Sequence, residues 1–247
     1  MAKKKPRTPQ PPRKVQAPKQ RHAPRKAMDP ARQKNILFGL SAAGLVGVAI
    51  VVIVILASGG ESKAGNPQAI AATMRAAGCT FATSKASPSA EHIAKVSDPV
   101  TYSTFPPTSG RHYYVPAIWG NYTQTVDPRQ AVHNQEHGGI DIWVGPGVSA
   151  AERQKITDFY DSSPNAILVT PIANATPGIT YPKHKPPDST IYLTAWTANV
   201  KNGKVESGVN VVAACPRFDE KAFAAFRDEL RGKGPERYPV GDLSPGT

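Results

Sequence analysis

An uncharged apolar run at residues 36–57 constrains the architecture of this chain more than any other feature. Its 22 residues are enough for a helix that crosses the hydrocarbon core of a bilayer, which takes about 20 residues. The apolar region of a cleaved signal peptide is shorter, about 7–15 residues. We therefore predict a transmembrane helix at residues 35–57, in contact with the lipid bilayer through residues 36–57. The small residues that follow, Ala57-Ser58-Gly59-Gly60, leave cleavage of this anchor open.

The segment before the apolar run is strongly basic. Residues 1–34 contain twelve Lys and Arg residues and one acid, Asp29, and so carry +11 of the net charge of +12. Because positive charge beside a span is retained in the cytoplasm, we expect a single-pass membrane protein with a cytoplasmic N-terminus and an extracytoplasmic C-terminal domain. The tail is rich in proline and is predicted to be disordered. It has no aromatic residue for base stacking, so nucleic acid is not an expected partner.

The rest of the chain has the pattern of a linker followed by a folded domain. Residues 58–65 are small and polar, as in a linker, and residues 66–247 are predicted to form the extracytoplasmic domain. Helix starts are indicated at Asn66-Pro67, at the capping box Ser149-Ala150-Ala151-Glu152 and at Asp219. Alternating or continuous apolar residues predict strands at 140–144, 166–170, 190–198 and 209–215.

The strand at 140–144 is expected to be half-buried, since Ile140, Ile142 and Val144 alternate with Asp141 and Trp143. Asn202-Gly203 predicts a hairpin with some extra loop between the last two strands. This order of elements favours an α+β fold with a mixed or antiparallel sheet and a few helices.

Two cysteines, Cys79 and Cys215, lie in the predicted extracytoplasmic domain. An even number of cysteines in an oxidising compartment favours a disulfide, here between the start of the domain and its last strand. Two free thiols and metal-bound thiolates are the alternatives.

The segment Val132-His133-Asn134-Gln135-Glu136-His137-Gly138-Gly139 has the pattern of a functional site. On a helix, His133 and His137 project from one face with Glu136 nearby, which is the geometry of a metal-ligand pair. On a strand, the two histidines lie roughly 13 Å apart and Glu136 points to the other face, so that a shared metal is impossible. The residues alone do not decide between a helix and a strand for this segment.

A second constrained segment precedes this motif. In Phe105-Pro106-Pro107-Thr108-Ser109-Gly110-Arg111-His112, two prolines restrict the backbone and Gly110 permits an angle that is strained for other residues. We expect this loop to hold the His112 side chain accurately.

Taken together, these segments resemble the bacterial domain-of-unknown-function 3105 family. The resemblance covers most of residues 79–237 and rests on the two histidine motifs, Trp119-Gly120-Asn121-Tyr122, Ala195-Trp196 and Gly234-Pro235-Glu236. Arg111 stands where the family pattern has proline, and Gln135 where it has leucine. The resemblance implies a membrane-anchored extracytoplasmic domain and brings no established activity.

Three functions are compatible with the histidine motif. The first is one transition-metal site, zinc, copper(II) or iron, with His112, His133 and His137 as ligands and Glu136 as a fourth ligand or as a partner of one. The second is a zinc metallopeptidase, because His133-x-x-Glu136-His137 matches the H-x-x-E-H pattern. The third is a structural network of buried His and Glu side chains in a domain that binds another cell-envelope protein.

We favour metal binding without catalysis. The peptidase motif needs a long helix and a carboxylate ligand from another helix, whereas Gly138-Gly139 and a predicted strand follow here. His92 and His184 are interpreted as ordinary exposed loop histidines, with His184 the first choice for a further ligand.

Overall fold

The computed structural model describes residues 61–173, 175–182 and 187–247. The predicted tail at 1–34, the predicted span at 35–57, the start of the linker and His184 lie outside the described residues. No helix among the described residues combines the length and apolarity that crossing a membrane requires. At the described end of the predicted linker, Ser62 exchanges two backbone hydrogen bonds of 2.9 Å with Val200.

Four α-helices lie within the described ranges: α1 (Pro67–Ala76), α2 (Pro128–Glu136), α3 (Ala150–Ser162) and α4 (Glu220–Leu230). Each begins after a residue whose side chain accepts a hydrogen bond from a backbone N–H of the first turn, namely Asn66, Asp127, Ser149 and Asp219. The first, third and fourth of these starts were predicted from the sequence. A short 3-10 helix, Val240–Asp242, follows α4.

The strands in chain order are β1 (Thr80–Lys85), β2 (His92–Ile93), β3 (Val100–Thr101), β4 (His112–Tyr113), β5 (Ile140–Val144), β6 (Ile167–Pro171), β7 (Ile179–Thr180), β8 (Ile191–Lys201) and β9 (Lys204–Cys215). Five of them form one sheet in the order β1-β9-β8-β5-β6, in which β5 and β6 are parallel and the other pairs antiparallel. β2 pairs with β4, and β3 with β7, in two small parallel ladders. The predicted α+β fold with a mixed sheet is confirmed.

The β8–β9 hairpin is tighter than predicted. Lys201 pairs directly with Lys204, so the turn consists of Asn202 and Gly203 alone, both with positive φ. Two-residue turns of this kind match the right-handed twist of the strands, and they leave no extra loop.

The prediction that β5 is half-buried is wrong. All five of its residues are buried, and Asp141 has no exposed surface. Ile140, Ile142 and Val144 pack in a core with α1, α3 and α4, while Trp143 packs on the opposite face of the sheet with Leu168 and Tyr192. The second face is covered by segments distant in sequence, which alternation within a single strand does not reveal.

Cys79 and Cys215 form the disulfide expected from the sequence. Both residues are buried, and β1, which starts directly after Cys79, pairs antiparallel with β9, which ends at Cys215. The bond therefore joins the start of the domain to the end of the hairpin across 136 positions of sequence.

Candidate metal centre

The His133 motif lies on a helix, which decides between the two structures left open by the sequence. Asp127 caps α2 and Pro128 occupies its first turn. The helix ends at Glu136 because His137 is its C-cap and Gly138 adopts a φ of 91°, a left-handed conformation that favours glycine. His133 and His137 are consequently close, with their Nε2 atoms 3.1 Å apart.

Two amide side chains of α2 attach the neighbouring loops. Asn134 accepts a hydrogen bond from the backbone N–H of Ala117 and donates one to the carbonyl of the same residue. Gln135 donates to the carbonyl of Pro107 over 3.0 Å and to Asp141 over 2.7 Å. Gln135 thus connects the proline loop to the buried acid of β5.

His112 reaches the same place from the proline loop through β4. Its ring is fully buried, and its Nδ1 lies 2.8 Å from the carbonyl oxygen of Gly110. The Nδ1 of His133 lies 2.8 Å from the carbonyl oxygen of Tyr113. Because a carbonyl oxygen only accepts, each Nδ1 carries the hydrogen, and in the neutral ring Nε2 then presents a lone pair. Metal-binding histidines are commonly oriented by such a hydrogen bond.

The Oε2 atom of Glu136 lies at the centre of three histidines. It is 2.9 Å from the Nε2 of His112, 3.3 Å from that of His92 and 3.9 Å from that of His133. These four residues, which we call the first ligand group, offer four potential ligand atoms within 4.8 Å of one another. Three of them were predicted as ligands from the sequence.

His92 is one of two ligand candidates that sequence reasoning missed. Its side chain is 44% exposed, as expected for a loop histidine, but β2 pairs with β4 so that His92 stands opposite His112. Its ring stacks on that of His133 with the centroids 4.8 Å apart. No local pattern in the sequence around His92 indicates this pairing.

His137, also predicted as a ligand, falls mainly into a second ligand group with Glu136 and Glu236. These three residues again offer ligand atoms within 4.8 Å of one another. The Nε2 of His137 is 3.2 Å from the Oε2 of Glu236. Glu236 belongs to the Gly234-Pro235-Glu236 motif of the resemblance, but the sequence carried no sign that its carboxylate faces the histidines.

The surroundings of His133 favour its neutral form, in which Nε2 carries a lone pair. Burial lowers the pKa of His133 to about 4, against the opposing effect of its hydrogen bond to the Tyr113 carbonyl. The hydrogen bond with His137 lowers the pKa of Glu236, which keeps that carboxylate ionised at neutral pH.

The cluster is buried on one side and open on the other. His112, His133 and Glu136 are buried, whereas the side chains of His92 and Glu236 are 44% and 46% exposed. The Tyr238 ring lies 4.5 Å from the His137 ring at the open side. One side of the cluster is therefore accessible from solvent.

The spacing of the donor atoms fits a bound transition metal. Ligands about 2.0–2.1 Å from a tetrahedral zinc ion lie about 3.3 Å from one another. The Nε2–Oε2 separations of 2.9, 3.3 and 3.9 Å span this value.

The comparisons with known proteins identify the family. The family model described as a protein of unknown function, DUF3105, matches residues 94–238, more than half of the chain. No curated protein and no solved structure matches the chain. The chain belongs to the DUF3105 family, and the resemblance seen in the sequence is confirmed. The match includes His112, His133, Glu136, His137 and Glu236 and begins two positions after His92.

Proposed function

We propose that this member of the DUF3105 family binds a transition-metal ion through the first ligand group, His92, His112, His133 and Glu136. One observation carries the proposal: two buried histidines donate Nδ1–H to backbone carbonyls and direct bare Nε2 atoms towards the same carboxylate oxygen.

The His112 Nε2 and the Glu136 Oε2 direct lone pairs at each other when His112 is neutral. In the neutral state, the His112 Nε2 and the Glu136 Oε2 are both acceptors, yet they lie 2.9 Å apart in a buried site. Two facing acceptors repel, and at low dielectric the repulsion is poorly screened. A divalent cation between them removes the repulsion and satisfies His133 at the same time.

The donor set favours zinc or copper(II). Several imidazole nitrogens with one carboxylate suit these ions, whereas magnesium and calcium prefer oxygen ligands. Glu136 serves as a ligand in this proposal, since its Oε2 already contacts three histidines. That position differs from the role of a glutamate that activates water in a peptidase, and we propose no peptidase activity.

The test is metal content by elemental analysis of the full chain, purified in mild detergent without a metal-binding affinity tag. We expect at least one equivalent of zinc or copper in the parent and none in a His133→Ala/His137→Ala variant. A matched control is Gln154→Ala/Asp158→Ala, which removes another i,i+4 side-chain pair from the exposed face of α3 and should retain the metal.

A structural hydrogen-bond network is the competing function. A protonated His112 can donate to Glu136 over 2.9 Å, and His137 can donate to Glu236 over 3.2 Å, without any metal. The domain would then act by binding another envelope protein. Absence of metal from parent and variant alike, even after reconstitution with zinc, copper and iron, would refute metal binding and favour this function.

We further propose that residues 36–57 anchor the chain in the cytoplasmic membrane with residues 66–247 outside it. The supports are the apolar run, the +11 charge before it and a disulfide, which is rare in cytosolic proteins. In a bacterial host, protease added to spheroplasts should degrade the C-terminal domain and spare a tag on the N-terminus. A protected C-terminal domain would overturn this orientation.

A further inference from the structure

We infer that the cluster is a two-metal centre, in which Glu136 bridges the ion of the first ligand group and a second ion held by His137 and Glu236. This inference rests on the proposed metal binding and extends it to a second position.

The number of ligands is the first argument. A four-coordinate ion is filled by the four residues of the first ligand group, and zinc rarely takes more protein ligands than four. Two further donors, His137 and Glu236, then remain directly beside the occupied position. Their ligand atoms are 3.2 Å apart, close to the separation of two ligands on one ion.

The position of Glu136 is the second argument. It belongs to both ligand groups, and the ligand atoms of each group lie within 4.8 Å of one another. A carboxylate has two oxygen atoms and can bind one ion with each. Two-metal sites in proteins have their ions about 3.5–4 Å apart, a distance that a bridging carboxylate spans.

The contact between the two groups is the third argument. The Nε2 atoms of His133 and His137 lie 3.1 Å apart. His133 uses its Nδ1 hydrogen on Tyr113, so its Nε2 turns a lone pair towards His137. With one ion in each group both nitrogens serve as ligands, whereas a single ion in the first group leaves His137 with only Glu236.

The number of protein ligands distinguishes the two positions. The first ligand group has four members, whereas the second has three, namely Glu136, His137 and Glu236. A metal with three protein ligands retains a position for water or another small ligand. The second ion is therefore the one to which an external ligand has access.

The experiment is a zinc titration of the metal-free full chain, followed by desalting and elemental analysis of zinc per chain. We expect two equivalents in the parent and one in Glu236→Ala. Since the Glu236 side chain is 46% exposed, we expect its removal to leave the folded core intact. The matched control is Glu206→Ala, an exposed glutamate on β9, which should keep two equivalents.

Every other result refutes a second ion bound by Glu136, His137 and Glu236. A single equivalent in the parent, whether or not Glu236→Ala loses it, means one ion and leaves the proposed metal binding standing. Two equivalents in both parent and Glu236→Ala place the second ion elsewhere on the chain. No zinc in the parent refutes the two-metal zinc centre, and the proposed metal binding falls with it when reconstitution with copper and iron also gives no bound metal. A cobalt(II)-loaded sample provides an independent check, because two bridged ions should show magnetic coupling that Glu236→Ala abolishes.

Discussion

The backbone N–H of Glu236 donates a 2.9 Å hydrogen bond to the carbonyl oxygen of Glu136. The same two residues contribute carboxylates to the second ligand group, so this bond joins the two acids of the candidate centre across 100 positions of sequence. A neighbouring bond of 2.8 Å, from Gly232 N–H to the Gly138 carbonyl, reinforces the contact. The C-terminal segment is thus attached directly to the end of α2.

Gly234 permits this close approach. A Cβ at this position would collide with the Glu136 carbonyl oxygen, the Gly138 nitrogen and the Gln135 carbonyl oxygen, all of which are backbone atoms. We predict that Gly234→Ala lowers the free energy of unfolding by about 1–3 kcal/mol, as overpacking does, and separates Glu236 from His137. Urea unfolding of the metal-free protein measures the change in the free energy of unfolding. Zinc analysis of the zinc-loaded protein measures the effect of separating Glu236 from His137. Gly241→Ala, where a Cβ meets nothing within 4 Å, is the control. Equal losses of unfolding free energy in Gly234→Ala and Gly241→Ala would show that close packing at Gly234 is unimportant.

Metal removal should destabilise the parent. An ion that binds only the folded state at a free concentration 100 times its Kd contributes about 2.7 kcal/mol. For a domain of this size we therefore expect a chelator to lower the Tm by roughly 5–11 °C. Differential scanning calorimetry with and without chelator measures the shift. The His133→Ala/His137→Ala variant should show no response to chelator, and a response equal to that of the parent would contradict binding at this cluster.

The buried Asp141 should make stability depend on pH. Burial raises its pKa well above the ordinary value, although the hydrogen bond from Gln135 opposes this. Its Oδ1 and the Oε1 of Gln135 have no hydrogen-bond partner among the described residues, and a protonated carboxyl group supplies a donor. Below about pH 4 both the folded and the unfolded chain hold the proton, so this group costs nothing there. As the pH rises, only the unfolded chain loses the proton at first, and stability falls until the folded pKa is reached.

Asp141→Asn removes this ionisation. We predict that its free energy of unfolding, relative to the parent, increases between pH 4 and pH 8. The slope should be about 1.4 kcal/mol per pH unit where only the unfolded chain is ionised. Chemical unfolding across this pH range measures the difference. Asp161→Asn, at an exposed position of α3, is the matched control for the change of carboxylate to amide. A flat difference for Asp141→Asn would mean that burial does not raise the pKa of this carboxyl.

The disulfide should contribute substantially to stability. In the chain-entropy model, a cross-link between residues 136 positions apart stabilises by roughly 4–5 kcal/mol. We predict a loss of this order in Cys79→Ala/Cys215→Ala, measured by denaturant unfolding against the oxidised parent. Adding reductant should destabilise the parent and leave the variant unchanged. A variant as stable as the oxidised parent would contradict the prediction.

Much of the fold was predictable because its signals are local. Asn66, Ser149 and Asp219 cap helices through hydrogen bonds to residues two or three positions ahead, so the caps are visible in the sequence. The turn of the β8–β9 hairpin consists of Asn202-Gly203 alone, which is also a local signal. The burial of Asp141 was missed because alternation within a single strand does not show what covers its second face.

The candidate centre was only partly predictable for the same reason. His133, Glu136 and His137 lie within five residues, and the proline loop marked His112. The sequence alone therefore determined the family, the local elements, the cysteines available for pairing and a histidine motif with two possible structures. Only the tertiary structure placed that motif on a helix and brought in His92 and Glu236. The pairing of β2 with β4 and the backbone contact between residues 136 and 236 decide those positions, and contacts at such separations leave no periodic pattern in a sequence.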